Sequence, residues 1–171
     1  LALSENRFWA IPLSNTDHRK WDNSETFNQV TFDWSDIKVS NVGSNKDIAI
    51  NVAKKMPHLN INKIKQISDG IYYYPKIEKR DIIIGVKSPN LIERAGYVES
   101  IKIDREETYS RSVKINWINA VERFKSRRNI FKEESEIQRL TNKQINYLVS
   151  RNVFFSNLLD FPLHYNHIAS Y

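Results

Sequence analysis

Residues 7–13 (RFWAIPL) are aromatic and β-branched, which predicts a strand, and the cluster Ser14-Asn15-Thr16-Asp17 behind them predicts a turn. Residues 14–29 are polar with Trp21 and Phe27 embedded, and read as a long connection of the kind that often carries function. Alternation returns in residues 30–34 (VTFDW), a short strand. Ser44 or Asn45 can cap a helix over residues 46–55, with Ile48, Val52 and Ala49 inward and Met56-Pro57 as its end. Ile61, Ile64, Ile67 and Ile71 recur every three or four positions and predict a second helix over about 61–69.

The densest strand signal is residues 81–86 (DIIIGV), a continuous apolar run that predicts a buried strand. Ser88-Pro89-Asn90 reads as a turn and residues 91–103 as the partner strand, with Gly96 marking a bulge or a close backbone approach. In residues 112–118 (SVKINWI), Val113, Ile115 and Trp117 alternate with Lys114 and Asn116, a further strand. A charge-rich stretch covers residues 119–136. Thr141 then caps a helix over about 142–151, where Ile145, Leu148 and Val149 make one apolar stripe. Five to six locally paired strands with two to three helices predict an α+β fold, a curved sheet or half-open β-barrel. Residues 1–151 form the expected domain. The apolar, aromatic residues 152–171 either pack back on it or link to further protein.

A chain of 171 residues fits one domain, and 40% hydrophobic with 12% aromatic residues excludes general disorder. Cysteine is absent, which excludes disulfides, a thiolate nucleophile and a cysteine-based zinc site. No apolar run approaches the roughly 18 residues that span a bilayer, and no secretory signal pattern opens the chain, so a soluble cytoplasmic protein without a membrane partner is expected. The net charge of +6 favours a polyanionic partner, with a merely basic protein as the plain alternative.

No phosphate-loop, dinucleotide, zinc-protease or nucleophile-elbow motif is present. His164 and His167 have a spacing suited to a metal pair but lack an obvious third ligand, and read as ordinary histidines. Glu106-Glu107 and Glu133-Glu134 lie in polar runs and read as solvated surface. The expectation is therefore a binding domain with no catalytic, metal or cofactor site. Four tryptophans and the run Tyr72-Tyr73-Tyr74 stand out in a small basic domain, since flat rings beside cations suit base recognition. Trp9 and Trp117 lie on predicted strands and read as core. Trp34 is intermediate. Trp21, within the polar DHRKWDNSE, reads as either a ligand wall or a buried ring. If the tyrosine run is extended, Tyr73 faces opposite to its neighbours.

Taken in order, Phe8-Trp9-Ala10-Ile11, Trp21, Phe32-Asp33-Trp34 with Asp36, Arg80-Asp81-Ile82-Ile83-Ile84, Ile92-x-x-Ala95-Gly96-Tyr97-Val98 and Tyr109-x-Arg111-x-Val113-x-Ile115-x-Trp117 resemble the EVE and YTH-like domains of the PUA superfamily. The likeness is to the N-terminal specificity domains of McrB-type modification-dependent restriction systems, and it covers residues 7 to about 150. Three departures are visible. Arg80 replaces the usual glycine before Asp81, Pro12-Leu13 replace a common lysine-serine pair, and the 57–75 segment is longer.

The resemblance implies a half-open barrel whose pocket holds a flipped, methylated base of double-stranded DNA, with a AAA+ motor domain and a nuclease subunit as partners in the same system. Carried over, Trp21 is one wall of that pocket, Trp34 a second, Leu13, Ser14 and Asn15 its lip, and Asp22 and Asn23 the groups that meet the base edge. Phosphate contacts are expected from Lys79, Arg80, Lys87, Arg94, Arg111, Lys114, Arg127 and Arg128. The same fold reading methyladenosine or single-stranded RNA is the alternative. An ASCH-type nuclease and a protein-interaction domain using residues 152–171 are the readings from other classes.

Overall fold

A computed structural model describes residues 7–23, 25–39, 43–104, 109–118 and 123–151. Its elements are β1 (Phe8–Pro12), β2 (Arg19–Trp21), β3 (Gln29–Asp33), α1 (Asn45–Lys55), α2 (Ile61–Tyr73), a 3-10 turn (Tyr74–Lys76), β4 (Ile82–Ser88), β5 (Leu91–Ile103), β6 (Ser110–Trp117), β7 (Phe124–Lys125), β8 (Gln138–Arg139) and α3 (Asn142–Arg151). Seven strands run in the order β2-β3-β6-β5-β4-β1-β8, and β7 pairs with the start of β5. The β1–β4 pair is parallel and the other pairs are antiparallel. This mixed sheet curls into a half-barrel, so the fold is α+β with a curved sheet as expected.

Two hydrophobic clusters explain why β1 and β4 read as continuous apolar runs. Side chains alternate across a strand, so each face of a strand meets its own layer. Trp9 and Ile11 of β1 and Ile83 of β4 enter one cluster, with Ile48 and Val52 of α1 and Ile67 and Ile71 of α2. Phe8 and Ala10 of β1 and Ile82 and Ile84 of β4 enter the other, with Ile145 and Leu148 of α3. Strands covered on both faces lose the polar alternation that solvent imposes. Strand β6 keeps it, because Lys114 and Asn116 between its buried residues face water.

Helix α1 starts at a capping box, in which Ser44 and Asp47 satisfy each other's backbone N–H groups. Helix α2 is capped by the Asn60 side chain and runs past the expected end at residue 69 to Tyr73. The tyrosine run is thus helical and not extended, so the alternation expected of an extended run does not arise. At 100° per residue, Tyr74 points into the core while Tyr72 and Tyr73 remain half-buried. Pro75 then ends the helical geometry in the 3-10 turn.

Gly70 of α2 is where the helix packs on the Trp34 ring, since a Cβ there would lie 2.5 Å from Trp34 Cζ2. Gly96 marks the close approach that the sequence suggested: a Cβ would run into the Asn116 carbonyl, whereas the register shift of β5 against β6 lies between Val98 and Ser100. No helix among the described residues is long and apolar enough to cross a membrane. Residues 152–171, His164 and His167 with them, and Glu106 and Glu107 lie outside the described residues.

Candidate nucleic-acid interface

Strand β2 alternates buried, exposed, buried, so Arg19 and Trp21 turn inward and Lys20 faces water. The Trp21 ring is only 6% exposed. Its Nε1 donates to the Pro12 carbonyl at 3.0 Å, and its backbone N–H donates to Asn15 Oδ1 at 2.8 Å. Phe27 meets it edge-on at 5.5 Å, and Trp117 lies tilted at 6.4 Å. Trp117, at the end of β6, donates from Nε1 to the Phe27 carbonyl at 2.8 Å. Below them β4 carries Gly85, where a Cβ would stand 3.1 Å from Trp117 Cη2 and 3.2 Å from Leu13 Cδ2. That missing side chain leaves room for Trp117 and Leu13 to lie against β4.

The covering segment is held under tension. Phe27 has φ +47°, left-handed backbone that a bulky residue rarely adopts. Asn23 accepts from the Glu25 and Thr26 amides at 2.7 and 3.4 Å, folding the loop on its own side chain. Arg94 of β5 straps the loop from outside. Its guanidinium donates to the Thr26 and Glu25 carbonyls at 2.7 and 2.8 Å and lies 5.0 Å from the Phe27 ring centre. Trp21 is therefore a wall of a closed aromatic cluster, with Phe27 occupying the space beside it. An open cleft of about 500 Å³ adjoins the cluster, with the half-buried Trp117 in its lining and Arg94, Lys114, Glu25 and Glu99 around it. Lys114 pairs with Glu99 at 3.5 Å, so the rim carries both signs.

The other expected pocket residues divide. Ser14 and Asn15 are exposed at the lip beside the half-buried Leu13. The Ser14 carbonyl and hydroxyl accept from Arg19 at 2.9 and 3.2 Å. Asp22 and Asn23 are exposed on the loop, but the Asn23 carbonyl oxygen is engaged in the turn just described. Trp34 requires a correction. It has no solvent exposure, stacks on His18 at 4.2 Å and fills the gap left by Gly70. The alternation that buries Val30 and Phe32 continues to Trp34, so the ring is core and walls no pocket.

The expected phosphate contacts divide as well. Arg111 is buried, and its guanidinium donates to the Pro75 and Ile77 carbonyls at 2.9 and 3.0 Å. It closes the end of α2 and the 3-10 turn, so the expectation of a phosphate contact is corrected. Burial lowers its pKa, an effect that the nearby Tyr74 phenol opposes. Lys79 and Arg80 precede β4 and Lys87 lies at its far end, roughly 20 Å away at the rise of a strand, so these exposed cations do not form one surface. Arg127 and Arg128 are exposed on a separate, larger groove.

Sequence reasoning missed Phe27 as the occupant of the cluster and Arg94 as its strap. It also missed the support beneath the lip. Arg19 and Glu136 are both nearly fully buried and meet at 3.2 Å. Arg19 also donates to the Ser135 and Glu136 carbonyls, while Glu136 accepts from Thr16 Oγ1 at 2.8 Å and Gln66 Nε2 at 3.3 Å. Burial lowers the Arg19 pKa and Glu136 counters it. An arginine in a polar sequence gives no local signal of burial, because its partner is more than a hundred residues away. Among the described residues, no group of three His, Asp or Glu could hold a metal ion. Comparison of the chain with models of protein families, with curated proteins and with solved structures finds no match.

Proposed function

We propose that this domain binds nucleic acid and reads a modified, methylated base of double-stranded DNA at the Trp21–Phe27–Trp117 cluster, as a PUA-like reader of the EVE type serving a McrB-type restriction system. The observation that supports it is the cluster's construction. Three aromatic rings and an arginine plane gather above a glycine, under a loop held by backbone carbonyls and carrying left-handed backbone at Phe27. In this reading Phe27 keeps the place of the base. The segment around Phe27 swings out, and an extruded base enters between Trp21 and Trp117. Stacking on one aromatic face contributes about 1–3 kcal/mol and offsets the few kcal/mol of unstacking that extrusion costs. Arg94, released from the loop carbonyls, becomes free for a phosphate.

The test is a titration of the full chain with matched duplexes, one carrying a methylated base and one plain. The methylated duplex is expected to bind more tightly. Trp117→Leu keeps apolar bulk but removes the stacking face, and is expected to abolish the preference. Phe27→Ala removes the competing ring and is expected to retain or strengthen it. Equal affinity of wild type for the two duplexes, across a panel of methylcytosine and methyladenine, would overturn the reading.

A further inference from the structure

The chain's net charge of +6 is not spread evenly. A groove of about 1020 Å³ runs between the segment over residues 124–130 and α3. Its lining includes Lys125, Arg127, Arg128, Lys143 and Arg151, with no aspartate or glutamate among the described residues. None of them forms an ion pair with a carboxylate among the described residues. Unneutralised cations gathered in one concavity focus the field and attract an anionic partner.

The groove is built and not a chance gap. Its loop wall is pinned to the β4–β5 turn, where Ser126 N–H donates to the Asn90 carbonyl at 2.8 Å and Asn90 Nδ2 donates back to the Ser126 carbonyl at 3.0 Å. The helix wall is pinned to the loop by Gln144, whose Nε2 donates to the Ile130 carbonyl at 2.8 Å. Along α3, Lys143, Tyr147 and Arg151 recur every four residues and share one face over about 12 Å. Tyr147 lies between the two cations. Its ring packs tilted on Phe124 at 6.4 Å, the Arg151 guanidinium lies 5.4 Å from its centre, and its hydroxyl meets Ser126 Oγ at 3.2 Å. The Ser126 hydrogen bond, then Arg151, holds the phenol below its ordinary pKa.

We infer that this groove takes the phosphodiester backbone of a nucleic-acid strand, with Tyr147 as a platform for one of its bases. A row of cations alone would suit any polyanion. A planar ring set between them matches a strand, which offers charges and flat faces in alternation, whereas an acidic peptide offers only the charges. The inference shares a nucleic-acid partner with the base-reading proposal but uses different residues, so either can fail alone.

The test uses the full chain with an unmodified single strand and an unmodified duplex, over a salt series. The triple variant Arg127→Ala, Arg128→Ala, Lys143→Ala removes exposed cations that form no ion pair among the described residues. It is expected to reduce the slope of log affinity against log salt by about 2–3, given roughly 0.7–0.9 per phosphate contact. Tyr147→Ala is expected to weaken the single strand by roughly 5- to 150-fold and the duplex less, since paired bases are stacked inward. Tyr147→Phe keeps the ring and is expected to restore binding, which separates stacking from any loss of fold checked by circular dichroism. An unchanged slope in the triple variant would overturn the inference. So would equal losses on strand and duplex with Tyr147→Ala, or polyglutamate displacing the strand as well as an unlabelled strand of equal charge. The groove is read from the salt slope on unmodified oligonucleotides and the base site from the ratio of methylated to plain duplex affinity, so failure here and failure of the base site are distinguishable.

Discussion

Arg80 carries left-handed backbone at φ +76° at the entry to β4. Glycine is the residue that adopts such backbone most readily. An L-residue there costs about 1–2 kcal/mol because its Cβ crowds the following carbonyl. Glycine avoids that but loses about 0.5–1 kcal/mol more chain entropy on folding. Arg80→Gly is therefore expected to stabilise the domain by about 0.5–1 kcal/mol, a rise of about 1–4 °C in Tm for a chain of this size. Thermal denaturation followed by circular dichroism checks it, and an unchanged or lower Tm counts against strain at this residue. Gly70 is the opposite case. Alanine would ordinarily favour a helix, but here its Cβ would collide with the Trp34 ring, so packing overrides propensity.

At the scale of elements, what local pattern can specify was legible and what distant pairing specifies was not. Helix α1 was readable from Ser44 and its inward Ile48 and Val52, and α3 from Thr141 and its inward Ile145 and Leu148, whereas Val149 of the expected stripe is exposed. Strand β5 was readable over the whole of Leu91–Ile103. Strands β2, β7 and β8, two or three residues each, are too short for a period to register, and each exists because a longer strand offers it hydrogen bonds. The candidate site shows the same division. Trp21 was singled out because its neighbours are polar, yet its burial depends on Phe27 and Trp117 arriving from elsewhere. Trp34 was ambiguous until Gly70 showed what covers it.

Strand β2 in particular hangs on the buried Arg19–Glu136 pair, which ties it to the segment before β8. Removing one partner of such a pair leaves a buried charge uncompensated, at a cost of about 3–5 kcal/mol. Glu136→Gln is expected to destabilise the domain on that scale. The double variant Arg19→Met, Glu136→Leu is expected to recover most of the loss, because apolar groups of similar volume leave no charge to solvate. Denaturant unfolding of both variants checks this, and a double variant no more stable than the single would show that the carbonyl contacts of Arg19 outweigh its ion pair.

For the whole molecule, the two hydrophobic clusters share β1 and β4, whose alternate side chains enter opposite layers. Neither layer can lose its packing without loosening strands that the other needs, so the described domain is expected to unfold in one cooperative step. The indoles make this measurable. Trp9, Trp21 and Trp34 lie in the cluster that includes α1 and α2, and Trp117 packs against it, so fluorescence reports on that side alone. Leu148 of α3 lies in the other cluster and is 1% exposed. Leu148→Ala creates a cavity worth about 2–5 kcal/mol. If the layers are coupled through β1 and β4, this substitution lowers the fluorescence midpoint in denaturant as much as the far-ultraviolet dichroism midpoint. A lowered dichroism midpoint with an unmoved fluorescence midpoint would mean that α3 melts by itself. That outcome would also bear on both proposals: the basic groove rides on α3 and the aromatic cluster on β2 and β6, and if both bind one nucleic acid, a rigid sheet between them is what would fix their spacing.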